Sequence, residues 1–460
     1  MTLDALLSAL GPQVVQPGHA ADRSYLTDWA LREAVAPLAV LRPSSTREVA
    51  QALEICLAHE VPVVPQGGRT GMVGGAAPLA DGVVICLDRM DATPEIDVAA
   101  RTARVQAGVT LSALQRAAQA QGLMFPVDLG ARNACQIGGM ISTNVRGMRA
   151  FRDGAMRENV LGIEAVLPDG LVLNAMNGTF KNNMGYDLKQ LFIGAEGTLG
   201  VVTGAVLQLR PVSPARVTAL LRVRDLTDAQ SVLEVLQSRL RGLSICEVMW
   251  PDYYHFACGF RGFDPLPVNG CADGLTLLIE AEGVEETPMR VALQAALELL
   301  FDKEWITDGA ISQTSRQTEE FWALREAHEG IPQAFASVAS FNVSLPVEGG
   351  DAAISGLIAA LGEAFPPLRC LWFGHLGDMK LQLGVVNVSG SPIGAEDVIR
   401  IKDIVLSGVQ EAGGSLVVEQ GGETVDYVPR RIRSEAEHAL NRSLRRVFDP
   451  KGIMNPGRLF

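Results

Sequence analysis

No run of apolar residues in this sequence approaches the roughly 20 needed to cross a bilayer as a helix. The N-terminal stretch has no basic segment followed by an apolar run and a small-residue cleavage site. These absences predict a cytoplasmic protein without a membrane span. Cysteine is scarce and scattered: Cys56, Cys86, Cys135, Cys246, Cys258, Cys271 and Cys370 show no Cys-x-x-Cys spacing. That excludes a zinc ribbon or a dithiol redox motif and predicts reduced, mostly buried thiols. Histidine is also rare, and of the six only His375 lies in a glycine-bounded segment that carries an aspartate. Basic residues are outnumbered, 39 against 52 acidic ones, for a formal net charge of −13. Such a surface repels phosphate backbones and anionic membranes, which excludes nucleic acid as a partner. Internal repeats, low-complexity tracts and heptad runs are absent as well.

What is present is a long chain with a large apolar fraction. With 460 residues, 48% of them apolar and 20% charged, it exceeds what one hydrophobic core usually organises, so two or three domains are expected. Ser45-x-x-Glu48 has the form of a capping box and opens a helix with Val49, Leu53 and Cys56 on one face. Residues 61–65 read as a strand, Gln66-Gly-Gly-Arg-Thr-Gly-Met-Val-Gly-Gly75 as a loop, and Val83-Val-Ile-Cys-Leu87 as the next strand. Residues 108–123 read as helical and 126–147 as a long structured loop. Strand-like runs at 163–173 flank the turn signal Pro168-Asp-Gly170, and another strand follows at 200–209. Pro211 and Pro214 then punctuate the chain. Beyond them helical stretches (227–240, 288–301) mix with strands such as 275–280, which marks a second α+β domain beginning near residue 212. The segment Phe448-Asp-Pro-Lys-Gly-Ile-Met-Asn-Pro-Gly457 is too turn-rich for a simple helical tail and is expected to return to the first domain.

Backbone N–H groups can gather around a pyrophosphate only where no Cβ obstructs them, so paired glycines after a strand suit a dinucleotide cradle. Gly67, Gly68, Gly71, Gly74 and Gly75 meet that need. Their spacing fits neither G-x-G-x-x-G nor G-x-x-x-x-G-K-[ST], so a Rossmann fingerprint and a triphosphate loop are unsupported. Taken alone, the loop is equally well a cluster of tight turns. Two further elements accompany it: Pro126-Val-Asp-Leu-Gly-Ala131 with Ile137-Gly-Gly-Met-Ile-Ser-Thr-Asn144 and Gly147, and Gly194-Ala-Glu-Gly-Thr-Leu-Gly-Val-Val-Thr203.

Together these segments resemble the vanillyl-alcohol-oxidase-type (PCMH-type) family of FAD-linked oxidoreductases, nearest to its D-2-hydroxyglutarate, D-lactate and glycolate dehydrogenases. The likeness runs from about Tyr25 to Gly457 and includes Lys181-Asn-Asn-Met-Gly-Tyr-Asp-Leu-Lys-Gln-Leu-Phe-Ile193, Phe321-Trp-Ala-Leu-Arg-Glu326, Ser344-Leu-Pro346 and Asn455-Pro456. The resemblance implies an α+β fold. A two-subdomain FAD-binding domain would span 1–211, an α+β, ferredoxin-like substrate domain 212–446, and a returning segment 447–460. It implies that the loop from Gly67 to Gly75, with Thr70 adding a hydroxyl, holds the FAD pyrophosphate. Gly138, Gly139, Thr143, Asn144 and Gly147 would approach the ribityl chain and flavin ring, and Val201 and Val202 the adenine half. Pro65, Pro126, Asp128, Gly130, Glu196, Gly200 and Asn455 complete the cofactor set. Arg69 stands where the resemblance implies an asparagine, either to pair with a phosphate or as a solvated surface residue. Gln136 stands where the resemblance implies a histidine and offers no nucleophile for covalent attachment, so the FAD is expected to be non-covalent.

Oxidation of a 2-hydroxy acid needs a cation for the carboxylate, a group to polarise or deprotonate the hydroxyl, and a hydride acceptor. Arg325 matches the family's Trp-x-Leu-Arg-Glu arginine and is the expected carboxylate anchor, the alternative being an intrahelical pair with a residue such as Glu329. Gly374-His-Leu-Gly-Asp-Met-Lys-Leu-Gln-Leu383 is similar to the family's metal-binding strand, but only His375 of its two histidines survives. Gln382 replaces the second, and Lys380 replaces an asparagine. Val418-Glu-Gln-Gly-Gly422 keeps the acidic ligand as Glu419, while Gln420 replaces the histidine taken as catalytic base. Ser340 falls where the relatives have a substrate-holding lysine. No bound metal is therefore expected, with Lys380 supplying positive charge in its stead and pairing with Glu419. The alternatives are a solvent-facing Lys380 and a loop histidine at 375 satisfied by backbone carbonyls. The implied activity is oxidation of a hydroxy carboxylate, with electrons passed to a protein or quinone acceptor by a chain compatible with homo-oligomerisation. The other reading is a flavin-binding subunit of a heteromeric complex in which another chain carries the chemistry.

Overall fold

The computed structural model describes residues 2–28, 33–71, 74–266, 274–417 and 434–458. Two compact units emerge, one made of Met1–Val212 with Glu419–Phe460 and the other of Ser213–Val418. The second unit thus begins one or two residues from the proline-marked boundary. The C-terminal helix Glu435–Phe448 belongs with the first unit, whereas the sequence reading starts the returning segment only at 447. No helix among the described residues is long and apolar enough to cross a membrane.

The first unit holds a four-stranded sheet, in spatial order β1 (Val15–Pro17), β2 (Ala39–Leu41), β4 (Val83–Cys86) and β3 (Val63–Gln66). Strands β3 and β4 lie parallel, so the glycine loop leaves the sheet at the C-terminal end of β3 and the chain re-enters beside it. The helix Thr46–Ala58 starts at Ser45, whose hydroxyl accepts from the Glu48 amide. The reciprocal bond is displaced by one residue, because the Glu48 carboxylate takes the amide of Ser44 at 2.6 Å. Val49, Leu53 and Cys56 are buried on one face of this helix, as its spacing predicts.

A second sheet of the same unit runs β5 (Glu95–Asp97), β6 (Thr102–Gln106), β10 (Val201–Gln208), β8 (Val160–Val166), β9 (Val172–Ala175). The hairpin β8–β9 is antiparallel around Pro168-Asp-Gly170. A short pair joins β7 (Leu123–Met124) to β11 (Arg210–Pro211). Within the stretch 126–147, which sequence composition marks as loop, Ile137–Ser142 forms a helix. Two consecutive glycines weaken helix propensity by about 1 kcal/mol each, and tertiary bonds outweigh that. The amides of Ile137 and Gly138 donate to the carbonyls of Val109 and Ala107. The C-terminal stretch docks on β3 through Val63 N to Ile453 O at 2.8 Å and Asn455 N to Val63 O at 2.8 Å.

The second unit is built on one antiparallel sheet, in order β15 (Asp308–Ile311), β12 (Ala215–Val223), β14 (Leu275–Gly283), β13 (Leu243–Met249), β17 (Leu368–His375), β18 (Lys380–Asn387), β16 (Val338–Ser344), β19 (Ser415–Val417). Helices Pro251–Arg261 and Ser315–Arg325 pack on one face, where Met249, Tyr253, Leu324, Phe373 and Val386 form a core. Tyr253 stacks on Phe373 with ring centroids 4.2 Å apart. The expected helices at 227–240 and 288–301 appear as Leu226–Arg239 and Glu286–Asp302.

Candidate functional site

In the first unit, β3 ends at buried Gln66, whose Nε2 donates to the carbonyls of Tyr25 and Ala76, the second bond tying the start of the loop to its end. Among the described residues, none of the amides of Gly67, Gly68, Arg69, Thr70 and Gly71 donates to a protein acceptor. Gly68 is pressed against a neighbouring turn, since a Cβ there would lie 1.9 Å from the Ala134 carbonyl oxygen. By contrast, a Cβ at Gly71, Gly130 or Gly139 would meet nothing within 4 Å. The loop therefore has a packed back and an open front lined with unspent N–H groups, the donor set a pyrophosphate requires.

Arg69 adopts a left-handed φ of 57°. Its guanidinium turns back over the Tyr25 ring, 4.8 Å from the centroid, with NH1 3.4 Å from the Gly67 carbonyl and from Cys86 Sγ. The half-buried guanidinium rests between the aromatic face and the sheet edge. The Tyr25 hydroxyl donates to Asp88 at 2.8 Å, and Arg42 Nε bonds the same carboxylate. Burial, then the Asp88 carboxylate, pushes the phenol up to about 12.

The helix Ile137–Ser142 and its flanks stand beside this loop. Gln136 is buried, its Oε1 has no hydrogen-bond partner among the described residues, and a Cβ on Gly67 would lie 3.4 Å from that atom. Thr143 Oγ1 donates to the Gly139 carbonyl. Asn144, at φ 47°, accepts the Arg157 amide through Oδ1. Gly147 lies against the Asp128 backbone, where a Cβ would come within 2.8 Å. Asp128 itself is consumed internally by Arg132, Gln115 and the Leu129 amide, and Pro126 is buried. Pro65 packs on Gly197, and Gly200 lies against the Val166 carbonyl. Val201 and Val202 are buried, and their side chains enter different cores, so only their backbone is available to a ligand. Glu196 has φ 50°, and its carboxyl is raised by burial, an effect that Arg458 opposes. Asn455 Nδ2 ties the two loops together, donating to the carbonyls of Gly75 at 3.0 Å and Glu196 at 2.8 Å. Open glycine positions, unspent amides and the orphaned buried acceptor Gln136 Oε1 all fit a bound dinucleotide.

In the second unit the strand register lays Glu247, His375, Lys380 and Ser344 side by side in one row across β13, β17, β18 and β16. Glu247 is fully buried. Its Oε2 accepts from Arg325 Nε at 2.7 Å, and its Oε1 takes His375 Nδ1 in a very short contact. Burial raises the Glu247 carboxyl, but His375 and Arg325 outweigh it and hold the group well below the ordinary range. Arg325 also lies over the Phe373 ring, 5.3 Å from its centroid, and its last helical carbonyl accepts the Tyr253 hydroxyl at 2.6 Å. Its NH1 is 3.5 Å from His328 Nδ1, and burial, then Arg325, pushes that imidazole down to about 4.

Arg325, His375 and Lys380 thus share one face of one sheet. Arg325 is paired with Glu247 rather than with Glu329, and His375 with Glu247 rather than with backbone carbonyls. Lys380 is buried. Glu419 and Gln420 lie outside the described residues, and so does any pairing of Lys380 with Glu419. Among the described residues no group of three His, Cys, Asp or Glu side chains is placed to hold a metal. Sequence reasoning missed Glu247, although a lone glutamate inside Leu243-Ser-Ile-Cys-Glu-Val-Met249 is a readable sign of a buried, paired carboxylate. It also missed Tyr253, His328 and Asn342, which carry no local signal.

Comparison with known proteins gives two family matches: "FAD binding domain" over residues 37–175 and "FAD linked oxidases, C-terminal domain" over residues 212–459. D-2-hydroxyglutarate dehydrogenase of Xanthomonas citri pv. viticola is 33% identical over 443 residues, covering 95% of this chain and 92% of that one. Its namesake in Stutzerimonas stutzeri is 34% identical over 471 residues, with both chains fully covered. The mitochondrial enzyme of that name in Arabidopsis thaliana is 33% identical, over 94% of this chain and 76% of its own. Among solved structures, p-cresol methylhydroxylase superposes with a TM-score of 0.74 at 17% identity, covering 100% of this chain and 96% of that one. Alkyldihydroxyacetonephosphate synthase reaches 0.72 at 18%, with 100% and 86% covered. At that identity the superpositions establish a shared fold.

Proposed function

From the premise that the chain belongs to the FAD-linked oxidase family and is an FAD-dependent oxidoreductase, we propose that it is a cytoplasmic dehydrogenase of a 2-hydroxy acid, passing electrons to a protein or quinone acceptor. The names of its relatives point to that substrate class. The observation that carries it in this chain is the row Glu247, His375 and Lys380, with Arg325 bonded to its first member.

The loop from Gly67 to Gly71 would hold the cofactor's phosphates by its unspent amides, with Gly139 leaving room for the ring system. Bound FAD supplies a hydride acceptor. The chain's own residues do the rest. Glu247 occupies Arg325 at Nε and His328 lies against NH1, so the guanidinium would reach a carboxylate chiefly through NH2. Lys380 adds a second cation on the same row. Because His375 engages Glu247 through Nδ1, its Nε2 is the ring atom available to take the hydroxyl proton.

The test is anaerobic flavin bleaching of the purified protein with a panel of D-2-hydroxy acids. Arg325→Ala should abolish bleaching at substrate levels that saturate the native protein while leaving FAD content unchanged. A second reading, a flavin-binding subunit whose partner chain carries the chemistry, draws on Gln382 standing where the family resemblance implies a histidine. Failure of every acid in the panel to bleach the flavin would select it.

A further inference from the structure

Beside the charged row lies a second, uncharged one. Asn342 on β16 sits directly across from Gln382 on β18, and both face the same side of the sheet as Lys380 and His375. Asn342 is 5% exposed, and its Oδ1 has no hydrogen-bond partner among the described residues. A buried carbonyl oxygen left in that state costs about 1–3 kcal/mol, so this atom, on the face that carries Lys380 and His375, calls for a hydrogen-bond donor. The next residue on this face of β18 is Gly384, which adds no side chain to the patch, and a Cβ there would meet Ile331, Leu371 and Val338 at ordinary 3.8 Å contact. Ser340, exposed and paired with Gly384, extends the same neutral polar patch.

Charge decides which group this patch takes. An amide presents one donor edge and one acceptor edge, and in whichever orientation Asn342 and Gln382 settle, a carboxylate can satisfy only the donor edge. A dicarboxylate would also bring a second negative charge to a patch whose own described residues, Asn342, Gln382 and Ser340, are all neutral, beyond the one that Lys380 and Arg325 are assigned. We infer that Asn342 and Gln382 form a specificity subsite for an uncharged hydrogen-bonding group, a hydroxyl or carboxamide, at the far end of a 2-hydroxy monocarboxylate. This rests on the reading of Arg325, His375 and Lys380 as the site for the carboxylate and 2-hydroxyl.

The experiment uses the full-length holoenzyme and a matched pair: D-2-hydroxyglutarate and the analogue in which its C5 carboxylate is a carboxamide. With an artificial dye as electron acceptor, turnover should proceed with kcat/KM at least about tenfold higher for the carboxamide. Asn342→Leu should bring the two within about threefold, chiefly through KM for the carboxamide, with flavin content unchanged. Gln382→Leu serves as the second variant if Asn342→Leu does not fold. A native enzyme that prefers the dicarboxylate, or a variant that folds and keeps the native preference, overturns the subsite. Absence of flavin reduction by any 2-hydroxy acid in the wider panel would instead overturn the substrate class on which it rests.

Discussion

Arg325, on the last turn of the helix Ser315–Arg325, places its Nε 2.7 Å from Oε2 of Glu247 in the middle of β13, with side chains 7% and 1% exposed. A buried pair of this kind adds little net stability, because desolvation offsets most of the attraction. Breaking it leaves one charge uncompensated in a dry site. The same carboxylate holds His375, so one buried glutamate orients both the proposed substrate anchor and the proposed base.

Glu247→Gln should therefore destabilise the protein by about 3–5 kcal/mol, measured as a lower urea midpoint. Flavin content should not change, because the cofactor loops belong to the other unit. A variant as stable as the native protein would show that the guanidinium is solvated and not locked in the site.

His328 supplies a pH signature. Its folded value of about 4 lies below the ordinary 6.5, so between those values the unfolded chain binds a proton that the native state does not. Stability tied to this group is complete above about pH 6.5 and falls as the pH drops toward 4, with a slope approaching about 1.4 kcal/mol per pH unit. Urea titrations between pH 7 and 5 avoid most carboxylate titration. The slope there should flatten in His328→Asn, and an identical profile in that variant would refute the assignment.

Two glycine substitutions should separate support from contact. Gly68→Ala places a Cβ 1.9 Å from a backbone oxygen, so both thermal stability and the flavin-to-protein absorbance ratio should fall. Gly139→Val projects into open space, so flavin should be lost with the melting temperature of the apoprotein little changed. Native flavin should be released by acid precipitation, since Gln136 offers no nucleophile. Colour retained in the pellet would contradict that.

Elemental analysis of protein purified without chelator should find far less than one zinc or manganese per chain. Gln382 is a poor ligand for a borderline-soft ion, and the Lys380 ammonium on the neighbouring row repels a dication. Lys380→Ala should reduce turnover by at least about tenfold if the ammonium orients substrate. Near-stoichiometric metal, or unchanged turnover in that variant, would refute the substitution of lysine for metal.

Local patterns carried a good part of this protein. The helix after Ser45, the hairpin around Pro168-Asp-Gly170, the break at Pro211 and Pro214 and the glycine loops are written in adjacent residues, and their dihedral and capping requirements act within a few positions. The helix Ile137–Ser142 escaped because its two glycines argue against it and bonds to Val109 and Ala107 override them.

The sequence by itself determined the fold class, the FAD cofactor and membership of the oxidoreductase family, since ordered motifs along nearly the whole chain identify all three. Only the tertiary structure decided who partners whom. Glu247 meets Arg325 across 78 positions and His375 across 128, and Asn455 reaches Gly75 across 380. Arg69 turns back over Tyr25. Such pairings depend on which strands lie adjacent and in what register. A one-residue slip of β18 would move Lys380 and Gln382 to the opposite face, and no local rule of composition or spacing encodes that choice.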